Sequence, residues 1–93
     1  MTRAEMKSRA AALEKRFSER YETHLIENRQ CFLRPDGMLF ALDYLGPYGA
    51  LVIEYAESIE EAKLNRFEDG DLFYLEEMDE DTMFRAMIQE IEQ

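Results

Sequence analysis

One cysteine, two prolines, four glycines and no tryptophan leave this 93-residue chain without the residues that most often announce a specialised scaffold. The lone thiol, Cys31, excludes an internal disulfide and any metal site built on paired cysteines. It also points to a reducing, cytoplasmic setting. The glycines, Gly37, Gly46, Gly49 and Gly70, fit neither a dinucleotide fingerprint nor a phosphate loop. No run approaches the roughly 18 apolar residues a membrane helix requires. The opening stretch, MTRAEMKSRAAALEKR, is charged every few residues, so neither a secretory leader nor a membrane partner is expected.

Bases are scarce in one half only. Residues 1–53 carry seven acids and eight Lys or Arg, and residues 54–93 carry fourteen acids and three bases. Those sums, +1 and −11, make the net charge of −10. Such asymmetry bears on partners and solubility rather than fold. A nucleic-acid backbone would be repelled by the second half. The basic residues near the start, Arg3 to Arg20, are interleaved with Glu5, Glu14 and Glu19, which is the pattern of a solvated helix face.

What is present suffices for one modest core: 46% of residues are hydrophobic and eleven are Phe or Tyr. Residues 1–93 therefore read as a single domain. Thr2 and Glu5 form a capping-box pair, with Met1 and Met6 as its staple. Met6, Ala10, Leu13, Phe17 and Tyr21 then recur at helical spacing, predicting a helix that ends near Glu22. QCFLR, PDG and MLFALDYL predict a hairpin whose second strand, apolar on both faces, suits the centre of a sheet. GPYG is a loop and ALVIEYA a third strand. Ser58 and Glu61 open a short helix that Asp69-Gly70 should stop, and DLFYLEE, 71–77, is a fourth strand. A βαβ crossover between the third and fourth strands is one option. Asp79 caps a closing helix striped by Met83, Phe84, Met87, Ile88 and Ile91. The expected fold is a two-layer α+β domain in the order α-β-β-β-α-β-α. About four antiparallel or mixed strands would carry the N- and C-terminal helices on one face.

Candidate chemistry is thin. Calcium-loop spacing fails from Asp69, where the position needing Gly is Tyr74, and from Asp79, where it is Phe84. His24 and Cys31 are the only possible thiol–imidazole pair, and no third member is evident. Ser8, Ser18 and Ser58 lack a nucleophile-elbow context. No catalytic residue, metal or cofactor is expected.

The outstanding feature is NRFEDGDLFYLEEMDED. Between Glu68 and Asp81 it holds Glu68, Asp69, Asp71, Glu76, Glu77, Asp79, Glu80 and Asp81, with no Lys or Arg among them. Turn chemistry and helix-start electrostatics explain part of the cluster, and a solvated acidic rim would explain the rest. The sharper reading is an edge where these acids converge on a basic protein partner, with Tyr48 of GPYG as an anchor. Self-association through an uncovered face of strands 38–45 and 50–56 is the alternative. The profile, a small acidic α+β domain without a catalytic signature, is similar to that of many bacterial immunity proteins. That likeness lies in size and charge, and implies a basic toxin or nuclease domain as partner.

Overall fold

The computed structural model describes residues 2–93 and has the element order α-β-β-β-β-α-β-α. The first helix, α1, spans Arg3–Ser18. The Thr2 hydroxyl accepts from the Glu5 N–H at 3.1 Å, as the capping pattern requires. Met1 of the expected staple lies outside the described residues. The helix stops a turn short of Glu22. Tyr21 nonetheless joins the helix-side cluster, because its N–H reaches back to the Phe17 carbonyl at 2.8 Å.

That early stop makes room for a strand the periodicity concealed. Glu22–Ile26 (β1) pairs antiparallel with Arg29–Leu33 (β2). The connection is a two-residue turn, Glu27-Asn28, with φ of 52° and 63°. Positive φ at both central residues is the hairpin conformation whose twist matches paired strands. Leu39–Leu45 (β3) follows the Pro35-Asp36-Gly37 turn, where Gly37 takes φ 93° and Asp36 accepts from the Met38 N–H at 3.1 Å. A single 3-10 turn, Gly46–Tyr48, leads into Ala50–Ala56 (β4).

The second helix, α2, covers only Ile59–Lys63. Just past its C-cap, Leu64, Asn65 takes φ 56° and supplies the left-handed stop expected later, at Asp69-Gly70. Those two residues instead lie inside Glu68–Tyr74 (β5), which begins and ends three residues earlier than the alternation suggests. β5 lies antiparallel beside β4, so there is no βαβ crossover. One and a half turns of helix are too short to carry the chain back along a seven-residue strand. The closing helix, α3, spans Glu80–Ile91, and Asp79 accepts from the Thr82 N–H at 2.8 Å.

The sheet order is β1-β2-β3-β4-β5, antiparallel throughout, with β3 at its centre. Both long helices pack on one face. Met6, Leu13 and Phe17 of α1 and Met83, Met87 and Ile91 of α3 meet Phe32, Phe40, Leu42, Leu51, Ile53 and Phe73 there. A smaller cluster beneath the opposite face joins Ile26, Cys31, Leu39, Ala41 and Ala56 to Ala62 of α2. At the β4–β5 end of that face Ala50 and Val52 are buried, while their edge-strand partners Tyr74 and Leu72 are partly exposed, at 38% and 37%.

Candidate functional site

β5 is an edge strand, and the acidic segment runs along it and past its end. Asp69 pairs with Glu54 and Leu72 with Val52, so Gly70 and Asp71 together stand opposite Ile53. That bulge kinks the edge. It also admits Glu90 of α3. Its carboxylate accepts from the Asp71 N–H at 2.7 Å and from the Tyr55 hydroxyl. A Cβ on Gly70 would lie 2.5 Å from Glu90 Oε2, so a glycine is needed for this approach. Burial first, then the hydrogen bond and charge of Glu90, raise the Tyr55 hydroxyl above its ordinary 10.0.

The eight acids separate into three groups. Glu68, Asp69 and Asp71 are exposed at the start of β5. Glu68 borders a groove of about 520 Å³, whose wall includes Met38, Tyr55, Phe67, Glu57, Glu61 and Arg66, and Asp69 and Asp71 line an adjoining groove of about 370 Å³ together with Arg34 and Glu90. Glu76 and Glu77 occupy the exposed turn after the strand. Six residue steps from Glu68 to Tyr74 separate these groups by about 20 Å. Tyr48, 65% exposed, belongs to the second group, because Leu75 N–H bonds the neighbouring Gly49 carbonyl at 3.1 Å. Asp79 is committed to capping α3. Hydrogen bonds from the backbone and side chain of Thr82 hold its carboxyl below the ordinary 3.8.

The third group corrects the expectation that the acids lack counter-charge. Arg16 of α1 lies 3.6 Å from Glu80 and 3.0 Å from Asp81, and Arg85 lies 3.1 Å from Asp81. The Arg16 guanidinium also sits 4.1 Å over the Phe84 ring. Glu80 and Asp81 therefore tie α3 to α1. Among the described residues, Glu68, Asp69, Asp71, Glu76 and Glu77 have no Lys or Arg ion pair. They line one sheet edge at two separated places.

Other groups were invisible in linear order. Asp43, Glu54 and Asp69 influence one another on the sheet face away from α1 and α3, where Arg29 pairs with Glu54. Burial raises the Glu54 carboxyl, Arg29 opposes that, and Asp43 and Asp69 reinforce it. A second copy stacked on this face would bring both sets of carboxylates together. Strands 38–45 and 50–56 are interior strands, so neither offers a free edge. His24 and Cys31, seven residues apart, are cross-strand neighbours. Cys31 is fully buried, and burial raises its thiol above 9.0, which keeps it protonated. The His24 ring is held by Glu22 at 2.9 Å. Among the described residues, no group of three His, Cys, Asp or Glu side chains is arranged to hold a metal ion.

These shifts set an acid-side stability profile. Glu14 and Glu54 are raised above 4.5, each mainly by burial. Their contribution is complete below that ordinary value and is lost as pH rises through the raised folded values. Asp79 is lowered from 3.8, and Glu92 is lowered from 4.5 by hydrogen bonds from Tyr21 and Arg20. Their contribution is present above those values and is lost as pH falls through the lowered ones. Resistance to urea is expected to rise on acidification from neutral pH toward the ordinary 4.5 of Glu14 and Glu54, and to decline as pH falls on through the lowered values of Asp79 and Glu92. Urea titrations across this range test the sign, and a steady decline from neutral pH to 5 would contradict it.

Comparison with protein-family models, curated proteins and solved structures found no match to this chain. No helix among the described residues is long and apolar enough to cross a membrane.

Proposed function

We propose that this protein is a non-enzymatic binding module that docks a basic protein on the β5 edge. One observation carries the reading. Glu68, Asp69, Asp71, Glu76 and Glu77 are exposed along that edge without a cationic partner among the described residues. Glu80 and Asp81 are occupied by Arg16 and Arg85 and take no part. Clustered charge of one sign steers an oppositely charged partner and sets its register. The bulge and the Glu90 cap on Asp71 interrupt the strand's outward backbone groups, so recognition runs through side chains. Tyr48, Tyr74 and Leu72 at the far end supply apolar area beside Glu76 and Glu77.

The test compares three immobilised forms in source-cell lysate, with bound proteins identified by mass spectrometry. They are the unaltered chain, a variant carrying E68Q, D69N, D71N, E76Q and E77Q, and a control carrying E80Q and D81N. A basic partner in stoichiometric amount is expected on the first and third at low salt. It should be absent from the second, and from all at about 1 M salt, where screening shortens to about 3 Å. Equal retention by the five-site variant, with its fold intact by circular dichroism, would refute the assignment. So would the absence of any basic partner on the unaltered chain.

A further inference from the structure

Tyr55 and Phe67 each already hold a guanidinium. Arg29 lies 4.7 Å over the Phe67 ring, and the two side chains line a cleft between α2 and the β1–β2 turn. Arg34 lies 5.9 Å from the Tyr55 ring, and those two line the groove that Asp69 and Asp71 share. Both rings also line the neighbouring groove of about 520 Å³, which neither Arg29 nor Arg34 borders. Each ring therefore turns a second part of its surface to a space with neither guanidinium in it. The Tyr55 ring is held in place there, because its hydroxyl donates to Glu90. Aromatic faces attract cations, and Arg takes such positions more often than Lys.

The rim of that groove carries the matching charge. Glu68 stands directly across from Tyr55 in the β4–β5 register, which places their Cβ atoms about 5 Å apart. Glu57 follows two residues after Tyr55 and is exposed. Among the described residues, neither Glu57 nor Glu68 has an ion pair. The third acid of the wall, Glu61, is engaged by Arg66 at 3.6 Å. Arg66 is the one base on that wall, so three acids against it leave a charge of −2. Met38 adds apolar surface on which the stem of a long cationic side chain can lie.

We propose that this groove receives an arginine side chain of the basic partner. The proposal rests on the docking reading above and names the residue that anchors it. The guanidinium stacks on Tyr55 and Phe67 and donates to Glu57 and Glu68, with its stem along Met38. Arginine suits the groove better than lysine does. Its planar fork can lie on a ring and bond carboxylates at its edge, whereas an ammonium is a compact and strongly hydrated point charge. Asp69, Asp71, Glu76 and Glu77 attract the rest of the partner without entering this groove.

The probe is acetyl-Gly-Arg-Gly-amide, titrated into the isotope-labelled protein at low salt and followed by amide NMR shifts. Lysine and citrulline peptides are run beside it, citrulline keeping the shape of arginine without its charge. The arginine peptide is expected to shift the amides of Glu57, Phe67 and Glu68 saturably, with Kd on the order of 1 mM. The lysine peptide should bind at least about threefold more weakly, and the citrulline peptide not at all. Glu57→Gln should weaken the arginine peptide by at least about threefold. Arg66→Gln, which removes the groove's own cation, should tighten it. Both positions are exposed, so neither change threatens folding. No saturable shift at about 10 mM peptide overturns the proposal. So do shifts centred on Glu76 and Glu77, a lysine peptide that binds as tightly, or affinities that Glu57→Gln and Arg66→Gln leave unchanged. Lysate capture separates this proposal from the docking reading. A basic partner fully retained by Glu57→Gln but lost from the five-site variant overturns the arginine groove and leaves the β5 edge standing. The absence of any basic partner on the unaltered chain overturns the edge reading itself.

Discussion

Replacing Phe17 with alanine is expected to cost about 3–5 kcal/mol of folding stability, the range for deleting a buried aromatic side chain. Phe17 is fully buried on α1, and its ring lies 5.6 Å from Phe32, 5.2 Å from Phe40 and 5.2 Å from Phe84. Its ring thus touches β2, β3 and α3 together. The Phe40 contact is edge-on at 80°, an arrangement that aromatic quadrupoles favour. Its loss leaves a cavity bounded by several rigid rings, which cannot collapse without moving strands. A domain of this size has a total stability of about 5–15 kcal/mol, so the variant sits near the limit of folding. At about 4–8 °C per kcal/mol, Tm should fall by more than 10 °C. Urea unfolding followed by circular dichroism measures the loss. Phe17→Leu should retain much of it, and a Phe17→Ala loss below about 1 kcal/mol would show that this ring is not the centre of the core.

Arg29→Met is the second large effect, and it acts on the other face. The Arg29 guanidinium pairs with Glu54, donates to the Leu42 carbonyl at 3.4 Å and lies 4.7 Å over the Phe67 ring. It therefore joins β2 to β3, β4 and the segment leading into β5. The Arg29 and Glu54 side chains are 28% and 18% exposed, so the pair is only partly shielded from water. Removing Arg29 leaves Glu54 facing Asp43 and Asp69 in a half-buried setting, where burial already raises its carboxyl. A fully buried pair broken on one side costs about 3–5 kcal/mol, and this one, more solvated, should cost about 2–3 kcal/mol. Replacing both partners, Arg29→Met with Glu54→Leu, should recover most of that loss. A hydrophobic pair of similar volume leaves no uncompensated charge. A double-mutant cycle measures the coupling, and near-additive losses would mean that the two side chains act independently.

The two variants also separate what short-range chemistry announces from what packing conceals. The caps at Thr2, Ser58 and Asp79 were legible, because an N-cap is a bond between residues three apart in sequence. The Pro35-Asp36-Gly37 turn was legible for the same reason, as was the central place of β3, whose two apolar faces need cover on both sides. β1 was missed because Tyr21 continues the helical stripe in spacing while leaving the helix in space. The signal that would have found it is the pair Glu27-Asn28 between Thr23–Ile26 and Arg29–Leu33, an Asn-containing two-residue turn. Asp69-Gly70 looked like a helix stop. Glycine serves equally well where a bulge must admit a neighbouring side chain, and nothing in the local sequence distinguishes those uses.

The acidic segment shows the division most clearly. Its charge, its lack of internal bases and the helix cap at Asp79 were determined by sequence alone. Which acids are free was not. Arg16 reaches Glu80 and Asp81 from a helix some sixty-five residues away, and only the docking of α1 beside α3 brings it there. Glu68 and Glu77 stand at opposite ends of an edge because that segment is the outermost strand, a fact of sheet order. Backbone conformation follows from neighbours along the chain, whereas charge compensation follows from neighbours through space. For this protein the sequence determined the caps, the turns and the sign of the surface, and the tertiary structure decided the strand β1 and where that sign is left unopposed.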